Sequence, residues 1–397
     1  MNSMSELTFE TVDGTTQANG SRSRGRVVKL DSRKKEKGIA FAQFSLALAA
    51  GGGSPLQALE IAKNRLGESS DVVTVLKAAV SAGSTSSPDW AAPLVPAHQN
   101  MVNDFVSYLR PRTIVGRFGV GGTPDMRRIG FRFKAPTQIT GGAASWVREG
   151  FPIPLTAFNF ASIELDFAKL GALAVITREL IQWSNPNAEL IVRDGLAAAI
   201  IERLDRDFVD PAKAEVANVS PASITNGIPA LPSVGGYDIE AVKQDIEALF
   251  FAFLNADNPP DNAVFLMSSK LAFRLSALQN MFGTREFPAI HFGGGSLMGL
   301  PVITSNYIAD DRVILVNPSD IYFADGGLHI DASDSVSIEM RDDPTNDSVS
   351  PTGATMTSMF QTGSVALKVL KAVNYKRRRA SAVSWLSGVQ WGAHGSS

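Results

Sequence analysis

The chain contains no cysteine, which excludes disulfides, thiolate nucleophiles and cysteine metal sites. It has four histidines, His98, His291, His329 and His394, and no two stand at the i, i+4 spacing that grips zinc from one helix. No Gly-x-Ser-x-Gly elbow and no Walker loop occur, so the commonest hydrolase and nucleotidase signatures are missing. The acidic cluster Asp342, Asp343 and Asp347 lacks the glycine and terminal glutamate of a calcium loop and reads as turn chemistry. Charge is also scarce: charged residues make up 19% of the chain and the formal net charge is −2. A chain whose main business is coating nucleic acid would carry a strong basic excess. The most apolar run, Ile39 to Ala50, is too short to span a bilayer and lies behind a polar segment, unlike an ordinary signal peptide. A soluble cytoplasmic product, with no catalytic residue, cofactor or metal, is the expectation.

What is present centres on Gly130 to Pro211. The alternating run Phe131-Arg132-Phe133-Lys134 and the later Ile163-Glu164-Leu165-Asp166-Phe167 read as two arms of a long hairpin. Phe158 and Phe160 are out of step with the returning arm, which predicts a bulge near Ala161-Ser162. Between the arms, Gly141 to Pro154 holds two prolines and three glycines and reads as an exposed, extended tip. Behind the hairpin, Ser184 or Asn185 caps a helix that has Pro186 in its first turn and ends at Asp210-Pro211. Over 186–209 this gives a rod of roughly 36 Å. Ala197, Ile200, Ile201, Leu204 and Phe208 form its buried stripe, and Arg193, Asp194, Glu202, Arg203, Asp205 and Arg206 its solvent side.

Met1 to Gly38 is polar with a basic cluster, Arg22, Arg24, Arg26, Arg33, Lys34, Lys35 and Lys37, and reads as a solvated tail. Three short helices follow between Ile39 and Ala82, striped by Leu56, Leu59 and Leu66 and by Val72, Val73, Leu76, Ala79 and Val80; they need a partner, either the body or other copies. Ser81 to Pro88 is a linker. A helix is expected from Asn100 to Leu109, and Gly119-Val120-Gly121-Gly122 is a turn rather than a phosphate loop, since Thr123-Pro124 follows. Asp238 caps a helix striped by Val242, Ile246, Leu249, Phe250 and Phe253. Ala263 to Met267 is a strand, Ser268 caps the next helix, and Phe292 to Ser296 is a flexible glycine run. Pro301-Val302-Ile303 and Val313 to Val316 are buried strands. Asp325-Gly326-Gly327 predicts a hairpin turn between Ile321-Tyr322-Phe323 and Leu328-His329-Ile330. A strand with Val336, Ile338 and Met340 and a closing strand with Val365, Leu367 and Val369 follow. Lys376-Arg377-Arg378-Arg379 reads as a solvated loop, with subunit or genome contact as the sharper reading.

The run Ala144-Ser145-Trp146-Val147-Arg148-Glu149-Gly150, then Glu179-Leu180-Ile181, the long helix and Met298-Gly299-Leu300-Pro301-Val302 together resemble the tailed-bacteriophage major capsid proteins. The resemblance covers roughly Ser87 to Trp391. It implies an α+β, Hong Kong 97-like fold: an N-terminal extension over 1–89 with a possible scaffold region, an arm over 90–127 and an extended hairpin loop over 128–170. A peripheral domain over 171–225 carries the spine helix at 186–209; an axial domain over 226–316 and a peripheral sheet with the C-terminus over 317–397 follow. It further implies a non-enzymatic subunit of pentamers and hexamers in an icosahedral virion, assembled in the host bacterial cytoplasm without a membrane. Portal, maturation protease, scaffold or decoration proteins and packaged double-stranded DNA would be its partners.

Some relatives in that family form a lysine–asparagine isopeptide bond. There the lysine follows the loop glutamate, whereas here Gly150 follows Glu149, and Met359 to Leu367 holds neither asparagine nor glutamate, so no autocatalytic crosslink is expected. Trp146, Arg148, Glu149 and Phe151 are the expected inter-subunit contacts. For Trp146 the alternative is packing on its own hairpin, and for Glu149 a solvated charge. An encapsulin shell protein is the nearest rival reading, and a soluble α/β enzyme with a carboxylate site the rival of a different class.

Overall fold

The computed structural model describes residues 37–68, 70–80, 104–140, 146–149, 151, 155, 159–179, 187–345 and 353–392. The basic tail, the linker 81–88, the chain from Trp90 to Pro96, the tip glycines 141–145, the residues expected to cap at 184–186 and most of the acidic loop 341–351 lie outside the described residues.

Three short helices come first: α1 (Ile39–Ala50), α2 (Pro55–Leu66) and α3 (Asp71–Val80). α1 is apolar nearly all round, which suits a helix enclosed on several sides. Its Phe41 stacks on Phe105 with ring centroids 4.0 Å apart. The partner these helices need is the body itself: Phe41, Leu59, Val72, Val73 and Leu76 share one core with Tyr108, Leu196, Ile200, Val365, Leu367 and Val369. Leu56, expected in the α2 stripe, is exposed. The small Ala58 and Ala62 let the seam run along 58, 59 and 62 instead.

Residues 104–109 are helical, followed by the short α4 (Ile114–Arg117), capped by Thr113, and by a turn with Gly119, Gly121 and Gly122 at positive φ. Beyond β1 (Arg127–Arg128) the chain turns at Arg132 (φ 59°), whose N–H donates to the Leu165 carbonyl at 2.9 Å. The outgoing arm is therefore β2 (Lys134–Thr140), not Phe131 to Lys134; Phe131 packs edge-on against Phe167 at the base. β2 pairs antiparallel with β3 (Asn159–Glu164), and the irregularity falls between Gln138 and Thr140 rather than at Ala161-Ser162.

After β4 (Lys169–Thr177) comes the long helix α5 (Asn187–Val209). Its expected stripe is buried throughout. Two residues read as solvent-facing are buried as well, Arg193 (6% exposed) and Asp205 (1%). Other elements close over their polar heads: Arg193 donates to the Lys37 carbonyl at 3.0 Å, and Asp205 accepts from the Ile114 amide at 2.8 Å.

β5 (Leu231–Pro232) precedes α6 (Ile239–Leu254), which Asp238 caps by accepting from the Ala241 amide at 3.1 Å. β6 (Val264–Met267) leads into α7 (Ser269–Ala277), capped by Ser268. The glycine run expected to be flexible is instead a hairpin of β7 (Ile290–His291) and β8 (Gly294–Leu297). Gly294 and Gly295 adopt φ of 120° and 130°, with backbone carbonyls packed where a Cβ would stand. β9 (Leu300–Thr304) and β10 (Val313–Val316) complete the buried strands.

β11 (Ile321–Ser333) is one continuous strand, so Asp325-Gly326-Gly327 is a bulge and not a hairpin turn. The reason is the partner strand: β14 (Ser364–Arg377) runs past both halves, and Gly326 sits where a Cβ would lie 2.6 Å from Ala372 Cβ. A small ribbon of β12 (Ser337–Glu339) and β13 (Met356–Ser358) lies between them in the chain. β15 (Val383–Ser387) then pairs antiparallel with β10, and Trp391 is buried in the α6 core. The last segment thus returns to the sheet of residues 264–316, so a boundary at 316/317 does not follow the sheets.

Among the described residues the strands form a four-stranded sheet, β1-β11-β14-β4, and a seven-stranded sheet, β5-β15-β10-β6-β9-β8-β7, besides the two ribbons. The basic run is no loose loop either: Arg378 and Arg379 converge on the buried carboxylate of Asp320 at 3.5 and 3.1 Å. Among the described residues no helix is long and apolar enough to cross a membrane.

Candidate inter-subunit interface

The β2–β3 ribbon joins neither large sheet through hydrogen bonds, and its outer end carries the four expected contact residues. The Phe151 amide donates to the Arg148 carbonyl at 3.1 Å, closing a turn with Glu149 inside it. The Arg148 guanidinium stands 5.9 Å from the centre of the Phe151 ring, within cation–π range. Trp146 is 104% exposed, Leu155 99% and Phe151 60%, so Trp146 does not pack on its own hairpin. Arg148 and Glu149 are exposed too. Three large apolar side chains and one charge of each sign therefore share a tip. Large aromatics in water at the end of a narrow ribbon are costly in isolation, and contiguous exposed apolar surface marks interaction sites.

At the base of the ribbon lies a cleft of about 450 Å³ walled by Glu164 and Asp166, by the loop 215–227 and by the end of β14. The Asn374 side chain ties β14 to the ribbon by donating to the Asp166 carbonyl at 2.6 Å. Arg377 donates through Nη2 to the Asn226 carbonyl at 2.6 Å, while its Nη1 is buried without an acceptor. Burial lowers the pKa of this guanidinium and raises that of the Tyr375 phenol, whose hydroxyl is also buried and unpartnered. Sequence reasoning missed this site by reading 376–379 as a loop. The signal was available: Val365, Leu367 and Val369 continue with period two through Val373, Tyr375 and Arg377.

The body behind the ribbon is locked by buried aspartates. Asp205 accepts from the Ile114 amide at 2.8 Å and the Ser305 hydroxyl at 2.9 Å, and burial pushes its carboxyl up to about 7. Arg117, beside it, donates to the carbonyls of Thr304 and Gly293. Asp245 accepts from Ser233, the Val234 amide and Trp391 Nε1. Asp320 adds Asn258 Nδ2 at 3.0 Å to its two arginines. A second outward feature lies beside α7, where Asn280 Oδ1 accepts from the amides of Phe282 and Thr284 and fixes a turn that presents Met281 and Phe282 to solvent. Among the described residues no group of three histidines or carboxylates is placed to hold a metal.

The sequence profile of the phage capsid family matches residues 97–388. A "Capsid polyprotein" of Pseudomonas phage PAJU2 is 46% identical over 373 residues, covering 91% of this chain and 56% of the relative. A "Major capsid protein" of Klebsiella oxytoca phage phiKO2 is 22% identical over 295 residues, covering 74% of this chain and 65% of the relative. The chain thus spans a little over half to just under two thirds of the curated relatives it matches. A solved structure from Mycobacterium phage Adephagia superposes with a TM-score of 0.49 at 16% identity, over 66% of this chain and 87% of that one; a likeness of that degree carries no argument by itself. The family profile spans most of the chain, and on that ground the protein belongs to the phage capsid family and is a bacteriophage capsid protein.

Proposed function

We propose that this chain is the shell-forming subunit of a tailed-phage head with a Hong Kong 97-like fold. Its ribbon is the extended loop, α5 the spine helix, and the β6–β10 region an axial domain. Copies form pentamers and hexamers by laying the ribbon tip on a neighbour, with Trp146 and Phe151 as anchors and Arg148 and Glu149 as charged contacts. Met281 and Phe282 make a second apolar contact near the capsomer axis. The subunit has a structural rather than an enzymatic role, assembles in the host cytoplasm and meets a portal, a maturation protease, scaffold or decoration proteins and packaged double-stranded DNA.

The observation that carries this reading is the fully exposed Trp146 beside Phe151 and Leu155 on one tip. Covering an aromatic of that kind removes roughly 150–250 Å² from water, a gross gain of about 4–6 kcal/mol before ordering costs. Repeated around a ring, modest contacts add through effective concentration. The test is sedimentation velocity with negative-stain electron microscopy of the full chain. Rings or closed shells are expected. The W146A/F151A double variant should shift material to free subunits at unchanged circular dichroism. A wild-type chain that stays monomeric at high concentration would overturn the reading.

A further inference from the structure

We infer that the cleft at the ribbon base receives the tip of a second copy of this chain, with Arg377 taking the Glu149 carboxylate of that copy. The inference rests on the ribbon being an inter-subunit arm and names where the arm ends.

The argument starts from unmet hydrogen bonding. A buried donor without an acceptor costs as much as the bond it lacks, and for a guanidinium the cost is larger. Two such donors, Arg377 Nη1 and the Tyr375 hydroxyl, stand on neighbouring turns of one strand face in the wall of the same cleft. One arm of Arg377 is tied to Asn226, which fixes the guanidinium plane and leaves its other edge for a planar oxyanion. Carboxylate matches that fork.

The other cations of the cleft are engaged within the chain: Lys376 faces Glu215 at 3.6 Å, and Arg378 and Arg379 face Asp320. The wall also carries the carboxylates Glu164 and Asp166, so a polyanion such as a nucleic-acid backbone would meet repulsion. A tip that brings one acid and one base meets both signs, with Glu149 toward Arg377 and Arg148 toward Glu164 and Asp166. The volume, about 450 Å³, admits a side chain of tryptophan size beside the carboxylate.

The absence of cysteine gives a clean test. In the full chain, E149C is combined with A380C at the exposed rim of the cleft, and assembled material is oxidised. The expected result is a ladder of disulfide-linked oligomers on a non-reducing gel from the double variant alone. In parallel, E149R and R377E should each raise the concentration for half-assembly about tenfold or more, and the charge-swapped pair should recover most of that loss. Adding DNA should not protect the A380C thiol in unassembled chain from alkylation; protection there would assign the cleft to the genome and overturn the inference. If W146A/F151A blocks assembly but the ladder and the swap recovery are absent, the cleft assignment fails while the arm reading stands. If W146A/F151A assembles normally, the arm reading itself fails. R377E is read only where circular dichroism matches wild type, and the disulfide ladder decides the matter otherwise.

Discussion

Asp205 gives the sharpest test of how the body is held. It lies in the middle of α5, is buried, and bridges the start of α4 to Ser305 after β9. Burial raises its carboxyl to about 7 from an ordinary 3.8. Between those values the folded chain keeps a proton that the unfolded chain has released. Stability contributed by this group is therefore complete below about pH 4, falls by about 1.4 kcal/mol per unit as pH rises toward 7, and is flat above. In D205N the side-chain carbonyl can accept from Ile114 and the amide can donate to the Ser305 hydroxyl, so both bonds survive without a titrating group. The Asn variant should thus gain about 3 kcal/mol on wild type between pH 5 and pH 8. D205A leaves the Ile114 amide without its acceptor and opens a void, and should cost about 2–4 kcal/mol at pH 5. Urea unfolding of dilute, unassembled chain at pH 5, 6, 7 and 8, followed by circular dichroism, measures all three. A difference between D205N and wild type that does not change with pH would refute the titration argument. Equal losses for D205N and D205A would refute the bridging role.

Two other perturbations probe the same body. F41A removes the ring stacked on Phe105 and should cost about 3–5 kcal/mol; limited proteolysis should then cut between α1 and α3 before the rest of the chain, and a wild-type digestion pattern would mean the helices do not share the core. D320A strands Arg378, Arg379 and Asn258. Because both arginines reach solvent, the loss should be about 2–3 kcal/mol, below the range for a fully buried pair, read as a lower urea midpoint; an unchanged midpoint would mean that the cluster holds nothing.

Much of the fold was legible because local chemistry decided it. Asp238 and Ser268 cap as their positions predict, and the stripe from Ala197 to Phe208 faces the core. The errors share one cause, an element distant in sequence. A helical wheel places Arg193 and Asp205 on the polar side, but Lys37, Tyr108, Ile114 and Ser305 close over that side. Asp325-Gly326-Gly327 has hairpin chemistry, yet the 14-residue partner β14 keeps β11 running through it as a bulge. The tip was legible from its prolines and glycines. The cleft was not, since Glu164, Asn226 and Arg377 are brought together only by the tertiary fold.

The two large sheets and the ribbon differ in how their stability is supplied, and the difference bears on assembly. β6 and β10 are buried along their whole length, and Asp205, Asp245 and Asp320 each tie segments far apart in sequence. The ribbon has two strands, pairs with neither large sheet and ends in exposed aromatics. A two-stranded hairpin is marginal in water by itself, so most of the free energy that would fix its outer half must come from whatever covers Trp146, Phe151 and Leu155. Where that cover is a neighbouring subunit, ordering the ribbon and joining the shell become one equilibrium. A subunit built in this way stays rigid alone but completes its arm only in company, which biases it against stable partial contacts made by the arm without a seat.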